Sequence, residues 1–315
     1  MTNSVPSSAD VFKEPVVVRG RTIQEVLKSH VAWLNGDGTG ERADLSGVTL
    51  NDIDLNGCDL RSALLVSTTM LDANLGGVNL SGAQLLGCDL ERAILTSADL
   101  TNSDLTEAKL QFAFLNSANL SESKLHSATL KKAHMQRARL LEASIQESSF
   151  WGADLTESAF HQAKLFDCDL SESVFERALF LYTRAHLCRF RGARGLGANF
   201  TSGRLDSCDF TAADLSGSKF HRANCTRSNF HRGDLRDCDF REAQLCGVDF
   251  SRAKLLRARF GDAVLASADF RGADLASARE IAPEQLSQAL TDERTILPNG
   301  TRGPYIKHSR AERPK

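Results

Sequence analysis

Large apolar residues recur at every fifth position over most of this chain of 315 residues. From 45 to 275 there are 47 positions divisible by five, and 44 of them hold Leu, Phe, Met or Ile. We call these the centre positions; the three exceptions are Ala185, Gly195 and Cys225. The residue two places before a centre is small almost throughout, and the residue just before it is often Asp or Asn. No insertion or deletion shifts this register.

A period of five fits neither an α-helix, with its period of 3.6, nor a flat strand, with its period of two. Two inward and three outward residues in every five predict a chain that turns a corner in each repeat. Four such segments would make a coil of 20 residues that is hydrogen-bonded to the coils above and below it. A proline would remove a donor from those ladders, and the sequence has none between Pro15 and Pro283.

Phenylalanine enters the centre positions only from Phe150 onward. Most of these residues fall into two series with a spacing of 20, namely Phe150, Phe190, Phe210, Phe230, Phe250 and Phe270, and Phe160, Phe180, Phe200, Phe220, Phe240 and Phe260. Because the two series are offset by half a coil, we expect them to lie on opposite faces and to meet across the core. Such a core is structural and leaves no room for a ligand.

The repeats ADLSG, IDLNG, CDLRS, ANLGG and ADLTN are similar to an A(D/N)LXX motif. On these residues the chain resembles the pentapeptide-repeat proteins over about three quarters of its length. The resemblance implies an all-β solenoid, a right-handed quadrilateral β-helix with short capping helices at both ends. At ~4.8 Å between stacked strands, nearly 12 coils would form a rod roughly 55 Å long.

Both ends of a solenoid expose strand edges that aggregate unless they are covered. Near residues 22–35 we predict a capping helix with Thr22 as N-cap, Glu25 closing a capping box, and an apolar stripe. The stripe consists of Ile23, Val26, Leu27, Val31 and Leu34. A second, short helix is predicted near residues 283–290. The expected organisation is a flexible segment at 1–20, a cap at 21–40, the β-helix at 41–280, a second cap at 281–298 and a flexible tail at 299–315.

Composition and motifs favour neither catalysis nor a cofactor. We find no nucleotide-binding loop, no zinc-protease motif and no nucleophile elbow, so we expect no enzyme activity, no cofactor and no metal. Six of the eight cysteines occupy the small slot two residues before a centre, where they serve as apolar fillers. The beginning of the sequence lacks a basic start followed by an apolar run, and no segment has the roughly 20 apolar residues of a membrane span. We therefore expect a cytoplasmic protein.

The five-residue pattern is interrupted near residues 180–200, where Ala185 and Gly195 replace two large centre residues of one coil. We call this interruption the break. Phe175 stands one coil before Gly195 and is expected to lean into the gap. Apolar and basic side chains surround this break and are the candidate partner-binding residues: Lys164, Val174, Leu179, Leu181, Tyr182, Arg184, Leu187, Arg189, Arg191, Arg194 and Arg204. Tyrosine and arginine beside exposed apolar surface are typical of interface hot spots. The alternative is a local repacking in which Glu176 and Asp206 neutralise the stacked cations.

Without catalytic motifs, the surface has to carry the function. The first hypothesis is a non-enzymatic scaffold that binds another protein. The second follows from the resemblance: some members imitate DNA and modulate or protect DNA gyrase and other topoisomerases. Residues 41–122, with 12 acidic and 4 basic side chains, favour it weakly, whereas residues 181–260, with 8 acidic and 15 basic side chains, argue against it. A third hypothesis is direct contact of the basic half with an anion or a nucleic acid, although the net charge of −2 predicts neither a nucleic acid nor an anionic membrane as a partner. A homodimer through an end cap stays open.

Overall fold

The computed structural model describes residues 16–314, and its main body is a β-solenoid. Parallel bridges and short parallel ladders join residue i to residue i + 20 in a series that runs from Asp44↔Leu64 to Arg259↔Arg279. Each coil therefore contains four five-residue segments, and each segment stacks on the matching segment of the next coil. This register is the one that the five-residue rhythm predicts.

The polar residue before each centre has a local structural task. In the first full coil, the Asp44 carboxylate accepts a hydrogen bond of 3.1 Å from the Ser46 amide, and Asp54 does the same for Asn56. A side chain that bonds the backbone two residues on stabilises a turn, which explains the preference for Asp and Asn. The turn itself is closed by bonds such as Val48 N–H to the Leu45 carbonyl, at 3.1 Å.

The residue two places after a centre adopts a positive φ. Gly47 has the φ of 71° that glycine accepts without strain. Many corners nevertheless carry a residue with a side chain, among them Arg92 at 58° and Tyr182 at 56°. Glycine is therefore not required there, and the corner side chains project outward, as the 58 % exposure of Tyr182 illustrates. The corners are the positions at which this fold presents variable side chains.

One side of the solenoid widens into a four-stranded parallel sheet. Its strands are β3 (Lys124–His126), β4 (Ser144–Gln146), β5 (Lys164–Phe166) and β6 (Arg184–His186), paired in chain order. At the first of them, the amide of Ala128 donates to Ser148 Oγ instead of closing the corner on Leu125. The Leu125 carbonyl in turn accepts a bond from the Ser148 hydroxyl. The serine hydroxyl thus takes the place of the backbone bond that closes other corners.

The two phenylalanine series meet in the core, as the sequence predicts. Within a series the rings stack, with centroids 4.5 Å apart for Phe190 and Phe210 and 4.8 Å for Phe180 and Phe200. Between the series they meet edge to face, at 6.4 Å for Phe190 and Phe200. Both arrangements are favourable for aromatic pairs, and the rings are almost completely buried.

The N-terminal end begins with a small hairpin and a helix. Strands β1 (Val17–Val18) and β2 (Arg21–Thr22) pair antiparallel, so the last part of the expected flexible segment 1–20 is ordered, while residues 1–15 lie outside the described residues. Helix α1 spans Ile23–Leu34 and has the Thr22–Glu25 capping box.

The buried face of α1 differs from the predicted stripe. Ile23, Val26 and His30 are buried, whereas Val31 is 44 % exposed. His30 Nδ1 accepts a bond of 3.0 Å from the Ala43 amide at the start of the solenoid. His30 therefore belongs to the face of α1 that contacts the solenoid, because it accepts the hydrogen bond of this edge amide. The pattern of apolar residues alone does not predict this role of a histidine.

The C-terminal end extends the ladders beyond the predicted limit at residue 280. Helix α2 (Pro283–Ser287) ends three residues earlier than expected. The chain then rejoins the solenoid through the bridges Asp269↔Leu290 and Asp274↔Ile296. The Gln285 side chain donates to the carbonyls of Phe260 and Ala263, at 2.8 and 2.7 Å.

Residues 299–314 also differ from the flexible tail that the sequence predicts. Arg302 pairs with Ile296 in an antiparallel bridge, and the Tyr305 hydroxyl donates to Glu312 at 3.1 Å. Ala311 and Glu312 are buried. The polar composition of this segment predicted a solvated tail. Instead, the segment makes a few contacts, both with the last coil and between its own residues.

Candidate functional site

At the break in the five-residue pattern, the core is packed in a specific way around Gly195. A Cβ atom at this position would lie 1.9 Å from Phe175 Cε2, so the phenylalanine ring occupies the space of a side chain at 195. The same ring meets Phe180, Phe190 and Phe200 edge to face, with centroids 5.6, 5.7 and 6.1 Å away. The prediction that Phe175 leans into the gap is confirmed.

Three cations form a row on the sheet side of the same coils. Lys164 pairs with Arg184 in the β5–β6 register, and Arg184 pairs with Arg204 in the next bridge. Their side chains therefore stack along the rod axis, with ~4.8 Å between successive strands. Among the described residues, none of the three has a carboxylate within ion-pair distance. We call Lys164, Arg184 and Arg204 the cation row.

The two carboxylates that the alternative hypothesis assigns to this row have other partners. Glu176 accepts a hydrogen bond of 2.9 Å from Arg194 Nε. Asp206 Oδ2 lies 2.6 Å from His186 Nδ1. Glu142 lines a depression together with Lys164, Tyr182 and Arg184, but it forms no ion pair with them. The alternative hypothesis, neutralisation of the row by Glu176 and Asp206, is therefore wrong, because each carboxylate has a nearer partner.

A surface groove runs beside the cation row. It has a volume of about 460 Å3, and its lining includes Phe166, His186 and Asp206 as well as the three cations. The Phe166 ring is 45 % exposed and stacks on His186, with centroids 5.9 Å apart and planes inclined by 25°. Ala185, which replaces a large centre residue, lies at the floor of the groove.

The groove has a cationic edge and an aromatic edge. Outward residues two apart on a strand are separated by roughly 6.6 Å, so the row through Phe166 and His186 runs parallel to the cation row at that distance. Tyr182 and Leu187 stand at the two corners that flank β6 and are 58 % and 45 % exposed. We call the cation row with Phe166, His186, Tyr182 and Leu187 the groove site.

The remaining predicted residues do not join this site. Val174 and Arg194 bridge each other in a different ladder, and Leu179 and Arg189 each belong to a further one. Leu181 is only partly exposed. The expectation that all of these apolar and basic side chains surround the break is therefore wrong, since neighbours in sequence lie on different segments of the coil.

The other predicted arginines are already paired. Arg189 Nη1 lies 3.1 Å from Asp167 Oδ1, and Arg191 pairs with Asp209. Arg194 is likewise paired, with Glu176. All three arginines therefore differ from the members of the cation row in having a carboxylate partner. Screened ion pairs of this exposed kind contribute little stability, but they leave less charge for a partner.

Sequence reasoning missed Phe166 and His186, although a signal was present. Both occupy an outward slot, one residue after a centre, and they are separated by one coil of 20 residues. An exposed aromatic residue in an outward slot, stacked on another ring, can be found by reading the sequence in columns. Their position beside the cation row follows only from the register of the ladders.

Metal and thiol chemistry are not features of the described surface. Within residues 16–314, no group of three or more His, Cys, Asp or Glu side chains is arranged to hold a metal ion. The cysteines are free, and burial raises the pKa of the Cys88 thiol to about 12. The helices found in residues 16–314 are all too short or too polar to cross a membrane.

The repeats decide the family. Residues 43–171 and 196–279 match the sequence profile described as pentapeptide repeats, in overlapping blocks that cover well over half of the chain. The chain belongs to the pentapeptide repeat family. The two matched ranges of this pentapeptide repeat protein are separated by residues 172–195, which include Phe175, Ala185 and Gly195.

Solved structures of other pentapeptide repeat proteins are similar to this one. One is HetL from the cyanobacterium Nostoc, described as involved in heterocyst differentiation regulation: it is 25 % identical, over 89 % of this chain and 98 % of its own, with a TM-score of 0.25. Another comes from the Arabidopsis thaliana thylakoid lumen and is 23 % identical, over 38 % of this chain and 72 % of its own, with a TM-score of 0.25.

A third similar structure is full-length QnrB1, a plasmid-mediated fluoroquinolone resistance protein. It is 18 % identical, over 54 % of this chain and 93 % of its own, with a TM-score of 0.24. A search of curated proteins gave no match.

Proposed function

We propose that this pentapeptide repeat protein is a non-enzymatic, cytoplasmic scaffold that binds another protein through the groove site. The observation that carries the proposal is the cation row, whose three members lack an ion-pair partner among the described residues. Two like charges repel by about 1 kcal/mol at 4 Å even in water. A row of this kind is therefore destabilising by itself and becomes favourable when an anionic partner covers it.

The surroundings of the cation row support a protein as the partner. Tyr182, Phe166 and Leu187 are exposed on the same side of the rod, and tyrosine and arginine dominate the binding energy of many protein interfaces. A small inorganic anion would neutralise the cations but would leave these apolar surfaces in contact with water. A protein surface covers both.

The test combines Tyr182→Ala with Arg184→Glu in the full chain. A photo-crosslinker at Leu187 should capture a partner in an extract of the source organism, and the double substitution should abolish that product without changing the melting temperature. The matched control is Phe112→Ala with Arg139→Glu, which removes an exposed ring and an arginine from other parts of the rod. Capture that survives the double substitution would show that the groove site is not the interface.

We also propose the finer architecture that the resemblance implies. The solenoid is a right-handed quadrilateral coil of nearly 12 turns, with helix α1 and the α2 segment acting as caps. The contacts of His30 and Gln285 with edge groups of the outer coils support the capping role. An end cap is also where a homodimer would form, and sedimentation of the full chain measures that directly.

A second candidate function is modulation or protection of DNA gyrase by DNA mimicry. The acidic excess of residues 41–122 favours it, and the basic excess of residues 181–260 opposes it. A DNA mimic would alter gyrase supercoiling at micromolar concentrations or below. We expect no effect in that assay, and clear inhibition or protection from a quinolone would place this candidate first.

A further inference from the structure

The spacing within the groove site contains information about the shape of its partner. The cation row repeats at the distance between coils, ~4.8 Å. Its neighbours Phe166 and His186 form a second row, about 6.6 Å to the side. A partner that satisfies both rows needs anions and apolar side chains in two parallel lines, each with a repeat close to the coil spacing.

Two regular peptide conformations can be compared with that repeat. In an extended strand, side chains on one face recur every 6.6–6.8 Å, so a strand lying along the rod axis loses register by about 2 Å per coil. An α-helix rises about 5.4 Å per turn and loses only about 0.6 Å per coil. Over the three coils of the cation row, a helix stays in register and a strand does not.

We infer that the groove site binds an acidic amphipathic α-helix of a partner protein, lying along the rod axis. One carboxylate per turn faces Lys164, Arg184 and Arg204, and the adjacent apolar stripe packs on Phe166 and His186. Side chains three and four positions apart form such neighbouring stripes on a helix. This inference rests on the proposed function, because it specifies the partner of the same site.

The position of Asp206 favours a partner that carries negative charge along one edge only. Its carboxylate lines the groove and contacts His186 on the aromatic edge. A ligand with dense negative charge over its whole surface would be repelled there. A helix with an acidic stripe beside an apolar stripe keeps its carboxylates on the other edge of the groove, over the cation row.

The experiment measures the binding of labelled synthetic peptides to the full chain by fluorescence anisotropy. The test peptide has glutamates and leucines at helical spacing, and a scrambled peptide of the same composition tests the need for two stripes. A third peptide replaces each glutamate with glutamine. We expect the patterned peptide to bind at least about tenfold more tightly than either control, to weaken with added salt and to gain helicity on binding.

Matched protein variants test the location. Arg184→Gln with Arg204→Gln should weaken binding roughly twofold to thirtyfold, the range expected for two solvent-exposed charge contacts. Arg189→Gln with Arg194→Gln makes the same change in net charge at paired arginines of other ladders and should have no effect. Phe166→Ser should weaken binding, whereas Phe114→Ser should not, although Phe114 is similarly exposed and also stacks on a histidine one coil away.

Three results would overturn the inference. The first is equal binding of the patterned and scrambled peptides, and the second is equal loss in the two double-arginine variants. The third is binding of inorganic triphosphate at the cation row with no binding of the patterned peptide, which would indicate an oxyanion site. If partner capture still depends on Tyr182 and Arg184 while the patterned peptide does not bind, the scaffold proposal stands and only the helix is excluded.

Discussion

The substitution Gly195→Ala tests the packing that underlies the groove site. The added Cβ would lie 1.9 Å from Cε2 and 2.5 Å from Cδ2 of Phe175, far inside van der Waals contact. The ring has no simple escape, because Phe180, Phe190 and Phe200 all meet it edge to face. Gly195 does not need a left-handed backbone, since its φ lies outside the positive range. The cost of the substitution is therefore the steric clash alone.

Forcing extra atoms into a packed core costs about 1–3 kcal/mol. We expect the upper half of that range here, because the surrounding rings are almost fully buried and cannot move into solvent. At roughly 2 °C per kcal/mol for a chain longer than 150–250 residues, the melting temperature should fall by about 4–6 °C. Thermal melting followed by circular dichroism measures the change.

Gly233→Ala is the matched control. Gly233 occupies the small slot two residues before a centre, where alanine is common, and a Cβ there would lie 3.0 Å from the Phe230 carbonyl oxygen. Its φ is also outside the positive range. Replacing such a glycine changes stability by about 1 kcal/mol or less. If Gly195→Ala melts at the same temperature as Gly233→Ala, the Phe175 ring does not fill the space at 195 and our account of the break is refuted.

A second measurement separates the clash from a general effect of position 195. In the Phe175→Leu background, the smaller side chain leaves room for the new methyl group, so Gly195→Ala should cost less than in the parent. Residues in direct contact show coupling energies of about 0.5–3 kcal/mol. Strict additivity of the two substitutions would also contradict the assigned packing.

Three further predictions concern the ends, the thiols and the surface ion pairs. Deletion of residues 16–40 should promote association, seen in light scattering, because it uncovers the first strand edge; a truncated chain that stays monodisperse would refute a capping role. In the folded protein, Cys58 and Cys246 should react with a thiol reagent well before the buried cysteines, and uniform labelling would contradict the described core. A hydrogen bond from Arg257 holds the pKa of Asp237 below its usual value. This pair therefore stabilises the fold above about pH 4. Its contribution disappears as the pH falls through the lowered pKa. Asp237→Asn should therefore slightly reduce the acid dependence of the melting temperature, and an unchanged profile would argue against the pair.

Some features of the groove site were readable in the sequence and others were not. The stacking of Lys164, Arg184 and Arg204 follows from their spacing of 20 residues. The displaced ring of Phe175 follows from the missing side chain at Gly195. The competition for carboxylates does not follow from spacing, because Glu176 bonds Arg194 on another side of the rod and Asp206 bonds His186 within the groove.

The sequence by itself determined the coil. A strict period of five with one small and one large inward residue per repeat permits a single register, because a shift of one residue would move the large centres into solvent. Only the tertiary structure decided which surface side chains meet. Residues adjacent in sequence point to different sides of the rod, whereas residues 20 apart become neighbours. A flexible charged side chain therefore has several possible partners within reach, and the tertiary structure decides which of them it pairs with. Those pairings leave the cation row without a carboxylate partner among residues 16–314, which no local pattern in the sequence predicts.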